Sequence, residues 1–135
     1  MARQFTLGKK ERLKSKKLID QVFLEGKSFA ESPFRVYYLM NNKDKTANLQ
    51  FGVGVSSKNF KKAVERNKVK RLTREAYRLQ KTVLKQKMTA IDKSLFVFLI
   101  YTGKELPEFT LVKEKVAVAL KKLVIIIDET PVANI

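Results

Sequence analysis

The sequence predicts a single α+β domain, with helices packed on one sheet in the order αββαβα and room for one further short strand. Hydrophobic residues make up 44% of the 135 residues, which is enough for one modest core. Three stretches have the composition and length of strands, and three others repeat apolar residues at helical spacing. We place this domain at residues 15–127, between a flexible basic arm (1–14) and a C-terminal tail (128–135).

The first helix is predicted at Lys16–Glu25. Ser15 is a good N-terminal cap because its hydroxyl can accept a backbone N–H of the first turn, and Gly26 is a common helix stop. Residues 1–14, by contrast, have no strong period. The apolar positions of the helix follow the spacing that forms one stripe: Leu18, Ile19, Val22 and Phe23.

Two strands are predicted after the first helix. Residues 34–40 and 49–56 both alternate and are rich in β-formers, and the polar residues 41–47 between them are typical of a hairpin-like connection. Gly52 and Gly54 fall on the face opposite to the apolar side chains of the second strand. Because glycine has no side chain, a large group could approach the sheet closely there.

The second half of the chain is predicted to contain a long helix, a buried strand and a last helix. The long helix covers residues 63–87, because its apolar positions alternate spacings of three and four: Val69, Leu72, Ala76, Leu79 and Val83. Residues 95–101 are a continuous apolar run of strand length, which indicates burial on both faces. Residues 111–124 form the last helix, with Thr110 as its cap.

The charge of the chain is strongly basic and unevenly distributed. Lys and Arg total 29 against 13 Asp and Glu, for a net charge of +16. Residues 1–17 carry seven basic and one acidic side chain, and residues 57–87 carry twelve and two, so these two blocks account for the whole excess. A concentrated positive surface on a small domain indicates a polyanionic partner. No apolar run is long enough to span a membrane.

A protein-only nuclease mechanism is not expected. The chain has no His and no Cys, so it lacks the commonest general acid–base group and any thiolate metal ligand. Its acidic residues are scattered, with no D-x-D or E-x-x-D group to bind Mg²⁺, and Asp128 and Glu129 are expected to be solvated. We therefore predict no catalytic residues and no metal site in the protein itself.

The most informative segment is the basic part of the long helix. Arg66, Lys70, Arg74 and Arg78 recur every four residues and predict one cationic ridge. Because like charges at this spacing repel, the ridge costs the helix roughly a few tenths of a kcal/mol per pair, and bound phosphates would relieve that cost. The alternative is an ordinary solvated face, which the shortage of acidic neighbours disfavours.

The run RNKVKRLTREA at residues 66–76 resembles the RNR signature of bacterial ribonuclease P proteins, and it follows an Ala-Val pair as it does in that family. Residues 12–26 resemble the N-terminal pattern of the family, and residues 51–58 resemble its central strand. The resemblance covers about residues 5–124 and is most specific in the RNR run.

The resemblance implies a fold and a mode of action. The family fold is an αβββαβα sandwich, like domain 2 of ribosomal protein S5, with a left-handed β-α-β crossover against the general right-handed rule. A catalytic RNA subunit would hold Mg²⁺ and cleave, while the protein binds that RNA and the single-stranded 5′ leader of precursor tRNA. The chain departs from the family at three positions: Lys61-Lys62 replace its usual Gly-Asn, and Ile19 replaces an aromatic residue.

The resemblance also implies two sets of site residues. The RNA-facing set carried over from the family comprises Arg66, Asn67, Lys68, Lys70, Arg71 and Arg74, and we add to the predicted RNA-binding residues the basic side chains Lys58, Lys62 and Arg78. The leader cleft comprises Phe23, Phe34, Arg35 and Tyr37. Phe34 and Tyr37 lie on opposite faces of one predicted strand, so at most one of them belongs to a single cleft. Tyr37 shares its face with Arg35, Phe34 is expected in the core, and Phe23 fits the cleft or the core equally well.

The resemblance thus implies a protein subunit of ribonuclease P that acts in the cytoplasm, with the catalytic RNA and precursor tRNA as partners. The main alternative is a ribosomal-type binder of structured RNA without an enzymatic role. A DNA-binding protein is disfavoured because no helix-turn-helix or zinc module is recognisable. A membrane-surface role is disfavoured because the apolar side of the basic helix is needed for the core.

Overall fold

The computed structural model describes residues 11–42 and 48–129 and confirms the mixed α+β class. Four strands form one sheet, and four helices pack on it. The elements are, in chain order, α1 (Lys16–Glu25), β1 (Lys27–Glu31), β2 (Phe34–Asn42), β3 (Leu49–Val55), α2 (Ala63–Gln80), α3 (Thr82–Ile91), β4 (Lys93–Tyr101) and α4 (Phe109–Glu129). Within these residues, no helix is both long enough and apolar enough to cross a membrane.

The sheet has the strand order β1-β2-β4-β3, so the hairpin-like connection predicted at residues 41–47 is wrong. β4 lies between β2 and β3, antiparallel to the first and parallel to the second. β4 is the most apolar of the four strands. It lies in the interior of the sheet, where both of its faces are covered. The parallel pair β3–β4 is joined through α2 and α3, and the left-handed sense of this crossover stays a prediction.

The two faces of the sheet carry different layers. α2 and α4 cover one face and enclose the main core, which includes Phe34, Phe51, Val97 and Leu123. α1 covers part of the other face through the buried Val22 and a smaller cluster. Because successive strand residues point to opposite faces, the alternation of β2 and β3 divides their side chains between these two layers.

The long helix predicted at residues 63–87 is wrong, because α2 ends at Gln80 and α3 begins at Thr82. The buried stripe also differs from the predicted one before the break, within α2. Val83, predicted to be buried, is 59% exposed, and Leu79 is also exposed. Thr73 and Tyr77 are buried in their place: the Thr73 hydroxyl donates to the Val69 carbonyl oxygen at 2.8 Å, so a polar residue is satisfied inside the core.

The ends of α1 are as predicted, and those of α4 are not. The Ser15 hydroxyl accepts the N–H of Leu18 at 3.3 Å, and α1 ends at Gly26. A Cβ at Gly26 would collide with the carbonyl oxygens of Tyr38 and Val22, so close backbone approach requires glycine here. α4 already begins at Phe109, which places Thr110 inside the helix, and it continues to Glu129. Residues 130–135 of the predicted tail lie outside the described residues.

Candidate nucleic-acid interface

The predicted ridge on α2 is a spiral of four cations with different surroundings. A helix turns by about 100° per residue, so positions four apart drift by about 40° each time. Arg66 therefore starts near the buried side of α2, and Lys70 is half-buried. Arg74 is exposed, and Arg78 is half-buried and paired with Glu75. Of the four cations of the predicted ridge, Arg74 is thus the most exposed and the most directly available to a ligand.

Arg66 supports the turn that leads into α2. Its Nη1 donates to the carbonyl oxygens of Phe60 and Lys61, both at 2.8 Å. Lys62 is the N-terminal cap residue of α2, but its side chain makes no capping hydrogen bond. The Arg66 guanidinium consequently holds the turn where the family's usual Gly-Asn is replaced by two lysines, and only part of that group is left for a ligand.

The exposed side of α2 forms what we call the cationic face, which consists of Asn67, Lys68, Lys70, Arg71 and Arg74. Lys58 and Lys62 are exposed on the loop between β3 and α2, which precedes the N-terminal end of α2. Burial and the nearby charge of Arg12 lower the pKa of Arg74, which shows that positive groups are crowded here. All nine predicted RNA-facing side chains are thus at least partly exposed, but Arg66 is engaged by two carbonyl oxygens and Arg78 by Glu75.

The predicted leader cleft contains an aromatic cluster of Phe23, Tyr37 and Phe98. The Phe23 ring lies edge-on to Tyr37 at 4.8 Å and to Phe98 at 5.4 Å between ring centroids. Phe23 is 39% exposed, and the other two rings are half-buried, so the cluster presents ring surface to the outside. Arg35 is exposed on the same face of β2 as Tyr37, with Nη2 donating to the Ser28 hydroxyl at 3.1 Å. This combination of rings and a cation suits a single strand of nucleic acid.

Phe34 does not belong to this cleft, which corrects its place in the predicted set. It is 2% exposed and packs against Tyr101 on the opposite face of the sheet, in the core under α2 and α4. The alternation of β2 requires this separation, because Phe34 and Tyr37 are an odd number of residues apart.

Phe98 was missed by the sequence analysis. It pairs in register with Tyr37 on one side and with Gly52 on the other, so all three share a face. A Cβ at Gly52 would lie 2.7 Å from the Phe98 ring, which means that the large group expected to approach this glycine is Phe98 itself. The sequence does contain a signal for Phe98, namely a glycine that pairs with an aromatic residue. This pairing could be recognised only by knowing that β3 and β4 are neighbours.

The described residues hold no group of three or more carboxylates, histidines or cysteines that could bind a metal ion. Two carboxylates near the basic surface are used in ion pairs. Glu75 pairs with Arg78, and Glu11 pairs with Lys81 at 2.9 Å and with Lys85 at 3.1 Å. The arrangement is therefore suited to binding phosphates rather than to holding a cation.

Comparison with known proteins agrees with this geometry. A family model described as Ribonuclease P matches residues 7–124. A ribonuclease P protein component from Porphyromonas gingivalis is 37% identical over 119 residues, which cover 88% of this chain and 87% of the relative. One from Chlorobium phaeobacteroides is 32% identical over 122 residues, which cover 83% and 84% of the two chains.

Solved structures show the same similarity. The ribonuclease P protein from Thermotoga maritima matches with a TM-score of 0.64 at 32% identity, covering 83% of this chain and 96% of that one. The protein from Staphylococcus aureus, at 23% identity, has a TM-score of 0.66 over 84% and 94% of the chains and shows the shared fold alone. The family model spans most of the sequence, and the cationic face lies within the matched residues. The chain belongs to the ribonuclease P protein family.

Proposed function

We propose that the cationic face binds the catalytic RNA of ribonuclease P and that the aromatic cluster binds the 5′ leader of precursor tRNA. As a family member, the chain is the protein component of this endoribonuclease and acts in tRNA processing. The observation that carries the proposal is the coexistence of two chemically different surfaces on one small domain. One presents cations on a helix, and the other presents aromatic rings beside an arginine.

The cationic face suits a folded RNA because its charges are rigidly placed. The buried residues Val69 and Ala76 fix α2 on the sheet, so the exposed cations on its other side keep constant spacing. Guanidinium groups such as that of Arg71 can bind two phosphate oxygens at once, and binding releases counterions from the RNA. Asn67 adds neutral donor and acceptor groups that could set the register on the RNA.

The aromatic cluster suits a leader of variable sequence. Every base has a π-face, so stacking on Phe23 or Tyr37 tolerates sequence changes, and Arg35 can attract the backbone. Phe98 supports both rings from the sheet, since Phe23 contacts it edge-on. Sequence-tolerant contacts are required of a protein that serves many different precursors.

The chemistry of cleavage is assigned to the RNA partner. We propose that the RNA holds the Mg²⁺ ions that activate water, because the described residues offer no carboxylate cluster for them. The partners are then the catalytic RNA and precursor tRNA, and the compartment is the cytoplasm. A ribosomal-type role has no specific support in the arrangement of these surfaces.

The test separates the two surfaces. Tyr37→Ala should weaken binding of leader-bearing precursor tRNA to the reconstituted holoenzyme by about 1–3 kcal/mol, the usual value of one stacked base. Mature tRNA, which has no leader, should bind equally to wild type and variant. Arg71→Ala should instead weaken assembly with the catalytic RNA, whether or not substrate is present.

Tyr37→Phe is the matched control, because it keeps the ring and removes only the hydroxyl. It should bind precursor tRNA like wild type, and circular dichroism should show that all variants are folded. Equal weakening of precursor and mature tRNA by Tyr37→Ala would contradict the assignment of the leader to the aromatic cluster.

A further inference from the structure

The described part of the N-terminal segment lies along the edge of β3 and points one arginine toward α2. Arg12 forms a parallel bridge with Phe51, and the N–H of Leu13 donates to the Phe51 carbonyl oxygen at 2.9 Å. Leu13 is 4% exposed and packs in the cluster under α1. Because successive side chains of an extended segment point to opposite sides, Arg12 is directed to the α2 side of the sheet.

An ion pair fixes this segment at the junction of α2 and α3. Glu11 accepts hydrogen bonds from the Nζ of Lys81 at 2.9 Å and from the Nζ of Lys85 at 3.1 Å. The Lys81 side chain is fully buried, so its charge depends on Glu11 for compensation. Immediately inside, the Tyr77 ring stacks on Phe51 at 3.8 Å. The segment is thus held on both sides of Arg12, by Glu11 at the α2–α3 junction and by Leu13 on β3.

This placement puts Arg12 on the side of β3 where Tyr77 stacks on Phe51, and Arg74 lies about one helical turn before Tyr77 on α2. Burial, and with it the charge of Arg12, lowers the pKa of Arg74. In the described ranges neither arginine has an acidic partner, since Glu11 serves two lysines and Glu75 serves Arg78. Two like charges on the same side of this segment repel each other, and an anion bound by both would relieve the repulsion.

We infer that Arg12 and Arg74 together form a site for one backbone phosphate of RNA. The inference rests on the proposed RNA-binding function and adds to it a residue outside the RNR helix. A phosphodiester group carries one negative charge and two free oxygens, so each guanidinium can donate to a different oxygen of the same group. Neither the charge pattern of α2 nor the basic arm alone would produce this site, because it combines residues 62 positions apart in the chain.

The test is a double-mutant cycle. The affinity of each variant for the catalytic RNA is measured by fluorescence or filter binding over a range of salt concentrations. Arg12→Ala and Arg74→Ala should each weaken binding about tenfold, in the range expected for a hydrogen bond to a charged group. Each should reduce the slope of log affinity against log salt concentration by the amount that roughly one phosphate contact contributes. The double variant should bind the RNA about as tightly as the weaker-binding single variant, because both substitutions remove the same contact.

Lys14→Ala is the matched control, since Lys14 is exposed on the same segment. The fold-loss of RNA affinity caused by Lys14→Ala should multiply with the fold-loss caused by Arg74→Ala, because the two side chains contact no common phosphate. Protection of the Leu13 amide in hydrogen exchange checks that Arg12→Ala leaves the segment in place. Arg12→Lys, which keeps the charge and loses the paired donors, should fall between wild type and Arg12→Ala.

Arg71→Ala distinguishes failure of the shared site from failure of the proposed function. If Arg71→Ala weakens RNA binding while Arg12→Ala and Arg74→Ala are independent, or Arg12→Ala has no effect, the shared phosphate site is refuted and the RNA-binding function stands. If Arg71→Ala, Arg74→Ala and Arg12→Ala all leave binding unchanged, both are refuted.

Discussion

Replacing Tyr77 by Phe should stabilise the protein. The Tyr77 side chain is completely buried, and among the described residues its hydroxyl oxygen has no hydrogen-bond partner. Its ring is stacked on Phe51 with an angle of 4° between the planes, and Phe keeps that stacking. The substitution therefore removes a buried polar atom and leaves the packing of the ring intact.

The magnitude follows from the cost of burying an unsatisfied hydroxyl, which is about 1–3 kcal/mol. Loss of the oxygen also leaves a small void, so we expect a net gain of about 1 kcal/mol at pH 7. Tyr101→Phe is the matched control. The Tyr101 hydroxyl donates to the Glu105 carbonyl oxygen at 2.7 Å, so its removal should cost about 1 kcal/mol.

The pH dependence is a second test of the same reasoning. Burial, and the charge of Glu11, raise the pKa of Tyr77 far above its usual 10.0. Above pH 10 the unfolded chain releases this proton and the folded chain does not, so rising pH destabilises wild type by about 1.4 kcal/mol per pH unit relative to Tyr77→Phe. Below pH 10 the stability difference between the two proteins should be constant.

Urea unfolding followed by far-ultraviolet circular dichroism measures these free energies at pH 7 and at intervals between pH 8 and 11.5. The other tyrosines are present in both proteins and cancel in the difference. A loss of stability in Tyr77→Phe comparable to that in Tyr101→Phe would show that the hydroxyl has a partner after all, and it would refute the reasoning.

Two further predictions concern glycine and capping. Gly26→Ala should lower the free energy of unfolding by about 2–3 kcal/mol, because the new Cβ would meet two backbone carbonyl oxygens that cannot move independently of α1 and β2. Urea unfolding would measure the loss, and an unchanged midpoint would contradict the close approach. Lys62→Asn should stabilise α2 by about 1 kcal/mol, since the cap position has extended backbone angles and no side-chain hydrogen bond. Thermal unfolding would detect the gain, and its absence would contradict the expectation that the first-turn N–H groups of α2 gain from a side-chain acceptor.

Much of the fold could be predicted because local patterns carried it. The cap of α1 depends on residues three apart, and the strand character of residues 34–40 depends on immediate neighbours. The cationic face was also predictable, since its charges follow one another along a single helix. The separation of Phe34 from Tyr37 followed from the alternation of one strand. Each of these features is decided within about one or two turns of chain.

Other features depended on residues distant in sequence. The break between α2 and α3 occurs at a buried lysine whose partner, Glu11, is 70 positions away. Phe98 looked like one residue of a uniformly apolar strand, and only its pairing with Tyr37 and Gly52 placed it in the aromatic cluster. The order of the strands, with the last one in the centre, could not be read from the polar stretch between β2 and β3.

The α+β class, the family and the helix that carries the positive charge follow from local sequence, because composition, periodicity and a contiguous motif are properties of neighbouring residues. Which side chains meet at the two surfaces depends on how distant segments pack. Arg12 lies on the α2 side of the sheet because an edge bridge to Phe51 and a buried ion pair of Glu11 hold the N-terminal segment in place. Such contacts depend on the packing of distant segments, which no local pattern specifies.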